Sequence, residues 1–329
     1  MQTYIIRRLL LIIPTIFVAS LIVFFLLRFI PGDVVTKMVA SHPVVGEAVD
    51  EAALRQRLGL DVPIPVQYGR WIGVIRDHQG SFSGLLQGSL GSSLWRQQTV
   101  IEIILNRLPV TIELSILSMA IALLIALPIG TYSAMRPDTI GDYNARSFAI
   151  LSIAVPTFWL GTMVVVFPSI WWGWSPPLEY IKFTDDPLGN LVQFIIPASV
   201  LGLLMAGVVM RMTRSMMLEV LRQDYIRTAW AKGLKERMVI LRHALKNALI
   251  PVVTVIGVML PTVVGGSVVT ETIFGVPGIG TLLLLAINDR DYPVVSGVML
   301  FVAGIMVLAN LVIDLSYGFF DPRVRGLYK

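Results

Sequence analysis

Residues 9–30 read LLLIIPTIFVASLIVFFLLRFI, and this run decides the fold. It is long enough to cross a bilayer, which takes about 20 apolar residues for about 30 Å of hydrocarbon. Its one charge, Arg28, lies close enough to the end to snorkel. Arg7 and Arg8 precede it, as basic residues precede a secretory leader. The run is too long for a leader's apolar region, and no small-residue cleavage site closes it. It is therefore expected to be a retained span. Working outward, five further runs satisfy the same rule: Ile112–Met135, Phe148–Trp172, Leu191–Met212, Ala248–Val269 and Val294–Ile313. The expected fold class is an all-α integral membrane protein with six transmembrane helices.

Composition agrees. Of the 329 residues, 55% are hydrophobic and only 14% charged, and the mean hydropathy is +0.77. Soluble domains carry about 25% charged residues. A soluble fold of this length would lack a charged shell, and a disordered chain would be poorer in apolar residues. The chain has no cysteine, which excludes a disulfide scaffold, a thiolate metal site and a cysteine nucleophile.

The net charge of +5 matters through its distribution, because basic loops stay on the cytoplasmic side. Arg211–Lys246 holds nine Lys or Arg against Glu219, Asp224 and Glu236. Arg7 and Arg8 stand at the N-terminus, and Arg323, Arg325 and Lys329 at the C-terminus. Gly173–Asn190 holds Lys182 against Glu179, Asp185 and Asp186, and Pro31–Pro109 is balanced at seven of each sign. Both termini and the Arg211–Lys246 loop are thus expected in the cytoplasm and Pro31–Pro109 outside. Trp171, Trp172 and Trp174 would form an aromatic belt at the outer interface.

The external segment is long for a loop and should carry structure of its own. Glu47–Leu58 and Val66–Ile75 read as helices, the second with Tyr68, Trp71, Ile72 and Ile75 on one face. Gly80–Ser93 reads as flexible loop, and Thr99–Leu108 as a lead-in helix to the second span. The segment either connects spans as a lid or offers Tyr68 and Trp71, with Glu113, as an external gate or docking surface. In Leu218–Leu249, apolar residues recur near helical spacing among basic ones, with Gly233 between. This pattern describes short amphipathic helices flanking a glycine turn. Such a stretch can lie on anionic lipid or insert into a partner's groove.

Catalytic motifs are missing. The sequence contains no G-x-x-x-x-G-K-[ST] loop, no H-E-x-x-H and no G-x-S-x-G. His42, His78 and His243 are isolated. Charges inside spans cost about 2.5–3.5 kcal/mol on insertion scales and usually mark function. Glu113, Glu271 and Asp314 are expected at span ends, in reach of water, so nothing suggests ion coupling at mid-depth. Pro261, Gly265 and Gly266 interrupt the fifth span most heavily. They suit either a pathway lining or close helix packing.

At Asp224-Tyr225-Ile226-Arg227-Thr228-Ala229-Trp230-Ala231-Lys232-Gly233-Leu234, followed by Arg242-His243-Ala244-Leu245-Lys246 and Pro251, the chain resembles the signature loop of ABC importer permeases. It is similar to the first permease subunit of the dipeptide/oligopeptide/nickel branch. That signature starts Glu-Ala-Ala and keeps a glycine. Here Arg227-Thr228-Ala229 stands in its place, and Gly233 keeps the glycine. Ile30-Pro31-Gly32-Asp33, Leu58-Gly59-Leu60-Asp61, Gly88-Ser89-Leu90-Gly91, Arg107-Leu108-Pro109, Phe274-Gly275-Val276-Pro277-Gly278-Ile279-Gly280, Asp291-Tyr292-Pro293 and Asp321-Pro322-Arg323 extend the resemblance over nearly the whole chain.

The resemblance implies a type I ABC importer permease fold and a division of the chain. Residues 1–30 would hold the N-terminal tail and first span, and 31–109 the external segment. Residues 110–318 would form the core, with the coupling loop at 213–247, and 319–329 the cytoplasmic tail. It implies that Asp224, Arg227, Thr228, Ala229, Lys232, Gly233 and Leu234 couple the chain to an ATPase. The implied complex holds a second permease, two ATPases carrying ATP and Mg, and an extracytoplasmic solute-binding protein. The chain itself would bind no cofactor, no metal and no nucleic acid, and would not be an enzyme. Short peptides are the expected substrate. Oligosaccharide, glutathione and nickel are the alternatives within the branch, and a non-transporting membrane scaffold or receptor is the rival class.

Overall fold

The computed structural model describes residues 2–29, 34–41, 51–76, 80–177 and 179–320. Among the described residues every regular element is helical, apart from one isolated bridge between Ser92 and Thr99. The helices are α1 (Gln2–Phe29), α2 (Val34–Ser41), α3 (Glu51–Arg57), α4 (Ile64–Ile72), α5 (Val100–Met135), α6 (Ile140–Ala154) and α7 (Thr157–Trp172). They continue with α8 (Pro187–Leu221), α9 (Asp224–Ala231), α10 (Glu236–Met238), α11 (Lys246–Gly266), α12 (Val268–Phe274), α13 (Ile279–Asp289) and α14 (Tyr292–Phe320).

Five stretches are continuous, long and apolar enough to span: Arg8–Arg28, Val100–Met135, Pro187–Leu221, Glu236–Met259 and Tyr292–Ile313. The expected straight span Phe148–Trp172 is corrected: α6 and α7 meet at 94°. Pro156 explains the break. A proline pushes the residue before it out of the helical region, and Val155 is extended at φ −77°, ψ 120°. Counted as one crossing, this pair gives the six expected, and a second bent pair further on, counted likewise, gives seven. The fifth run also ends early, because Ser267 interrupts it and α12 starts afresh. A second bent pair, α12 and α13 at 87°, follows. The lead-in helix before the second span is simply the start of α5.

The chain divides into two compact units. Met1–Pro109 with Thr281–Leu308 form the first. Here α4 docks on α1 through aromatic contacts: the Phe24 ring lies 5.1 Å from Tyr68 and 5.5 Å from Trp71. Ser20 Oγ and Tyr68 OH are 2.9 Å apart, and Arg28 Nη2 donates to Gln67 Oε1 at 2.7 Å. α4 stops at Gly73 (φ +91°), so Ile75 is not on its face but turns back, its N–H donating to Gly69 O. The Gly/Ser-rich stretch is loop apart from one 3₁₀ turn, Leu85–Gln87, and its end is pinned. Leu94 N donates to Asp291 Oδ1 at 3.2 Å, Ser93 Oγ bonds the same carboxylate, and Trp95 Nε1 donates to Asp289 O at 2.9 Å.

Val110–Gly280 with Ala309–Phe320 form the second unit. Its core lies where α5, α6, α8 and α11 meet, around Ala122, Ala126, Ala149, Ala206, Val209 and Val252. Small residues let helices approach closely where lipid supplies no hydrophobic drive. A Cβ on Gly207 would lie 2.8 Å from Ala149 O, and one on Gly202 2.7 Å from Ser118 O. Both contacts are with backbone, so these glycines set the separation of α8 from α6 and α5.

Candidate coupling site

α8 ends at Leu221, the chain turns at Arg222 and Gln223, and α9 begins at Asp224. The acid in the first turn suits the positive end of the helix dipole. The helix is amphipathic. Ile226 and Ala229 are buried, while Asp224, Tyr225, Arg227, Thr228 and Trp230 are exposed. The buried pair packs on Ala134 of α5 and Met217 of α8, together with Val239, Ile240, Ala244 and Ala248, and Leu234 closes the edge. Asn247 Nδ2 donates to Tyr225 OH at 2.9 Å, which ties α9 to the start of α11.

Gly233 ends α9 in the left-handed region at φ +74°. Gly233 N donates to Trp230 O at 2.9 Å and Leu234 N to Ala229 O at 3.4 Å. These two bonds form a Schellman cap, which places glycine at this position. A Cβ on Gly233 would meet no atom within 4 Å, so conformation, not crowding, selects glycine here. The chain then re-enters helix at α10 and passes through a π-helical stretch, Val239–Leu245, before α11.

Of the coupling residues expected from the sequence, the structure exposes Asp224, Arg227, Thr228, Lys232 and Gly233 on one surface. Asp224 and Arg227 pair loosely at 3.5 Å, both solvated. Ala229 points the other way, into its own chain. Its small side chain lets α9 lie close to α5 and α8.

The base of this loop is held by a network that sequence reading did not single out. Asp142 is fully buried near the start of α6. It receives Arg214 Nε at 2.8 Å and Nη2 at 2.9 Å, a bidentate pair, and the backbone N–H of Asp138 at 3.0 Å. Ser133 Oγ bonds the same carboxylate. Bidentate charge-assisted pairs fix orientation as well as energy. Here the pair fastens α6 to α8 eight residues before α9's turn at Arg222. Asp142 and Arg146 at helical spacing were visible in the sequence. Arg214, 72 residues on, was not a readable partner.

The other expected residues are placed differently. Tyr68 and Trp71 are half-buried against α1 rather than free. Glu113 is half-buried on α5, where Tyr180 OH donates to its Oε2 at 3.4 Å. Burial pushes the Tyr180 phenol up, and the carboxylate beside it adds to the shift. Pro261, Gly265 and Gly266 lie on α11. The surroundings of their side chains, like that of Asp314, fall outside the described residues. So do His42, His78 and the tail from Asp321. One expectation is overturned: Glu271 is not a water-exposed end residue but fully buried. Thr111 Oγ1 donates to it at 2.8 Å and Ser267 Oγ at 2.7 Å, while Thr111 Oγ1 accepts from Ile279 N at 2.8 Å. The bend between α12 and α13 folds the chain over the carboxylate and removes it from water.

An amphipathic helix with a capped glycine turn, mounted on an otherwise apolar helical bundle, matches a known family along the chain. Residues 126–326 match the family described as "Binding-protein-dependent transport system inner membrane component", and residues 1–115 match its N-terminal region. The chain belongs to that family. The permease is 41% identical over 325 residues to a chain of Brucella abortus (strain 2308), provisionally named a peptide transport system permease protein. That match covers 99% of both chains. It is 39% identical over 348 residues, again 99% of both, to the dipeptide transport system permease protein DppB of Escherichia coli (strain K12). In fold it resembles a solved structure described as an inward-facing conformation of the MetNI methionine ABC transporter. The TM-score is 0.53 at 17% identity, over 65% of the permease and 94% of that chain.

Proposed function

We propose that this permease forms half of the translocation pathway of an ATP-driven importer for short peptides. The carrying observation is the full-length similarity to permeases named for peptide and dipeptide transport. In this reading the other half is a second, related permease. Two ATPases bind ATP and Mg, and a solute-binding protein delivers peptide from outside. Residues 213–247 are the coupling loop, and the exposed face of α9 with Lys232 and Gly233 meets one ATPase. Residues 31–109 lie outside, 110–318 form the core, and both termini, including 319–329, lie in the cytoplasm of an inner-membrane protein. The chain binds no cofactor of its own, and the energy enters through its partners.

The physical case for coupling is the division of α9 into two faces. The face with Ile226 and Ala229 is spent on its own chain, while charged and aromatic residues face outward. Burial of one face makes α9 move with α8 and α11 as a lever does. The test uses the complete complex in proteoliposomes with its binding protein. ATP-dependent uptake of Ala-Ala is expected. A thermal-shift screen of that binding protein should show stabilisation by di- or tripeptides; stabilisation by sugars alone would overturn the substrate reading.

A further inference from the structure

Beside the turn that leads into α9, a cavity of about 1130 Å³ opens between α6, α8 and α11. Arg211 and Leu218 of α8, with Arg222 just past its end, form one wall, and Arg146 projects from α6. Arg214, already committed to Asp142, lies at the same wall. Ile150, Met212 and Val255 supply apolar surface, and Glu219 is the one acid in the lining.

The charges do not cancel. Four arginines stand against Glu219, the buried Asp142 and the exposed Asp138, a surplus of one positive charge. Arg211, Arg222 and Glu219 form no ion pair among the described residues. Arg146 Nη2 is ion-paired with Asp142 at 3.3 Å and Asp138 at 3.7 Å, while its Nε is buried without a hydrogen-bond partner. Buried guanidinium donors left without an acceptor are costly. A planar guanidinium fits a carboxylate with two parallel bonds. The cavity thus offers donors for one carboxylate and, at Glu219, an acceptor for one ammonium. A short peptide carries both. At about 1130 Å³ it is slightly larger than the about 300–1,000 Å³ of small-molecule pockets, so a short peptide would not fill it. An anionic lipid headgroup fits less well, because Glu219 would repel it.

We propose that this cavity is a peptide site at the α9 end of the pathway, where Arg146, Arg211 and Arg222 take the α-carboxylate and Glu219 the α-ammonium. The proposal rests on the peptide reading above and names residues for it. Gln223, the residue before α9, lines the same cavity, so release of a ligand and the motion of α9 would be linked.

The test uses the assembled complex of both permeases and both ATPases in phosphatidylcholine nanodiscs, without nucleotide or binding protein. The probes are radiolabelled Ala-Ala and its C-terminal amide. Saturable binding of Ala-Ala, at least tenfold tighter than the amide, is expected. The double variant Arg211→Gln/Arg222→Gln should bind Ala-Ala at least tenfold more weakly and lose the preference. Glu219→Gln should weaken Ala-Ala but not its N-acetyl derivative. Both arginines are exposed, so the variants should assemble, which size-exclusion chromatography checks. No saturable binding, equal affinity for acid and amide, or indifference to the double variant would overturn the proposal. Saturable binding of phosphatidylglycerol that the double variant abolishes, with no saturable binding of Ala-Ala, would assign the cavity to lipid instead. Uptake separates the two failures. A complex that imports no peptide defeats the substrate reading; one that imports peptide while its binding ignores the arginines defeats only this site.

Discussion

Two glycine turns in the second unit solve the same backbone problem and lead into opposite surroundings. Gly233 closes α9 at φ +74°, and Gly275 closes α12 at φ +66°. Both are capped in the same way, with Leu234 N on Ala229 O and Val276 N on Glu271 O. Around Gly233 the space is open. After Gly275, by contrast, the chain folds over Glu271. A Cβ on Gly278 would lie 2.4 Å from its carboxyl carbon, and one on Gly280 2.5 Å from Val268 Cα. Gly233 lies on an exposed surface. Gly275 has equal space at its own Cβ but leads at once into a joint with no room for a methyl group at Gly278 or Gly280. A motif of turn glycines therefore does not tell contact surface from core; the neighbours do.

Four predictions press on this contrast. The largest effect is expected at the packed turn. Gly280→Ala drives Cβ into the backbone of Val268. Such overpacking costs about 1–3 kcal/mol or more. A clear fall in thermal stability of the purified complex is expected, and an unchanged melting temperature would break the comparison. Second, Glu271→Ala leaves Thr111 and Ser267 without their buried acceptor, at about 1–3 kcal/mol. In that background Gly278→Ala should cost less than it does alone, because the carboxylate it would strike is gone. Equal costs in the two backgrounds would show that the two are not coupled.

Third, at the open turn Gly233→Asp should lose only about 1 kcal/mol of stability, the usual scale for a non-glycine residue held at φ > 0. It places a carboxylate between Lys232 and Lys235, on the surface proposed to meet the ATPase. Assembly should survive while ATP hydrolysis no longer drives uptake, as paired ATPase and uptake assays would reveal. Normal uptake would count against a coupling role. The smallest effect is expected for Tyr225→Phe, which removes one exposed hydrogen bond to Asn247, worth about 0.5–1.5 kcal/mol at most. Hydrogen exchange at α9 should rise slightly, with little change in overall melting.

The amphipathic pattern of α9 and the position of its glycine were legible because both are local. A helix of one turn's period and a left-handed cap depend on residues within a few positions of each other. Glu271 was misread for the opposite reason. Its distance from water depends on the bend that brings Ile279 over Thr111, and on Thr111 itself, 160 residues earlier. Asp142 escaped notice likewise, since its decisive partner Arg214 lies on another helix. Proline shows the limit of local rules. Pro156 breaks its span at 94°, whereas Pro197 sits buried within the continuous α8. The same missing N–H is accommodated where the proline is buried inside the bundle.

By itself the sequence determined that this is a helical membrane protein, where its apolar segments lie, and where an amphipathic loop with a capped glycine interrupts them. Those properties follow from residue type and short-range spacing, because lipid demands apolar length and a turn demands local torsions. Only the tertiary structure decided which charges are buried, which face of α9 is spent on the chain's own core, and where four arginines share one cavity. These depend on which helices meet. No spacing along the chain reports that, because each contact joins residues tens to hundreds of positions apart.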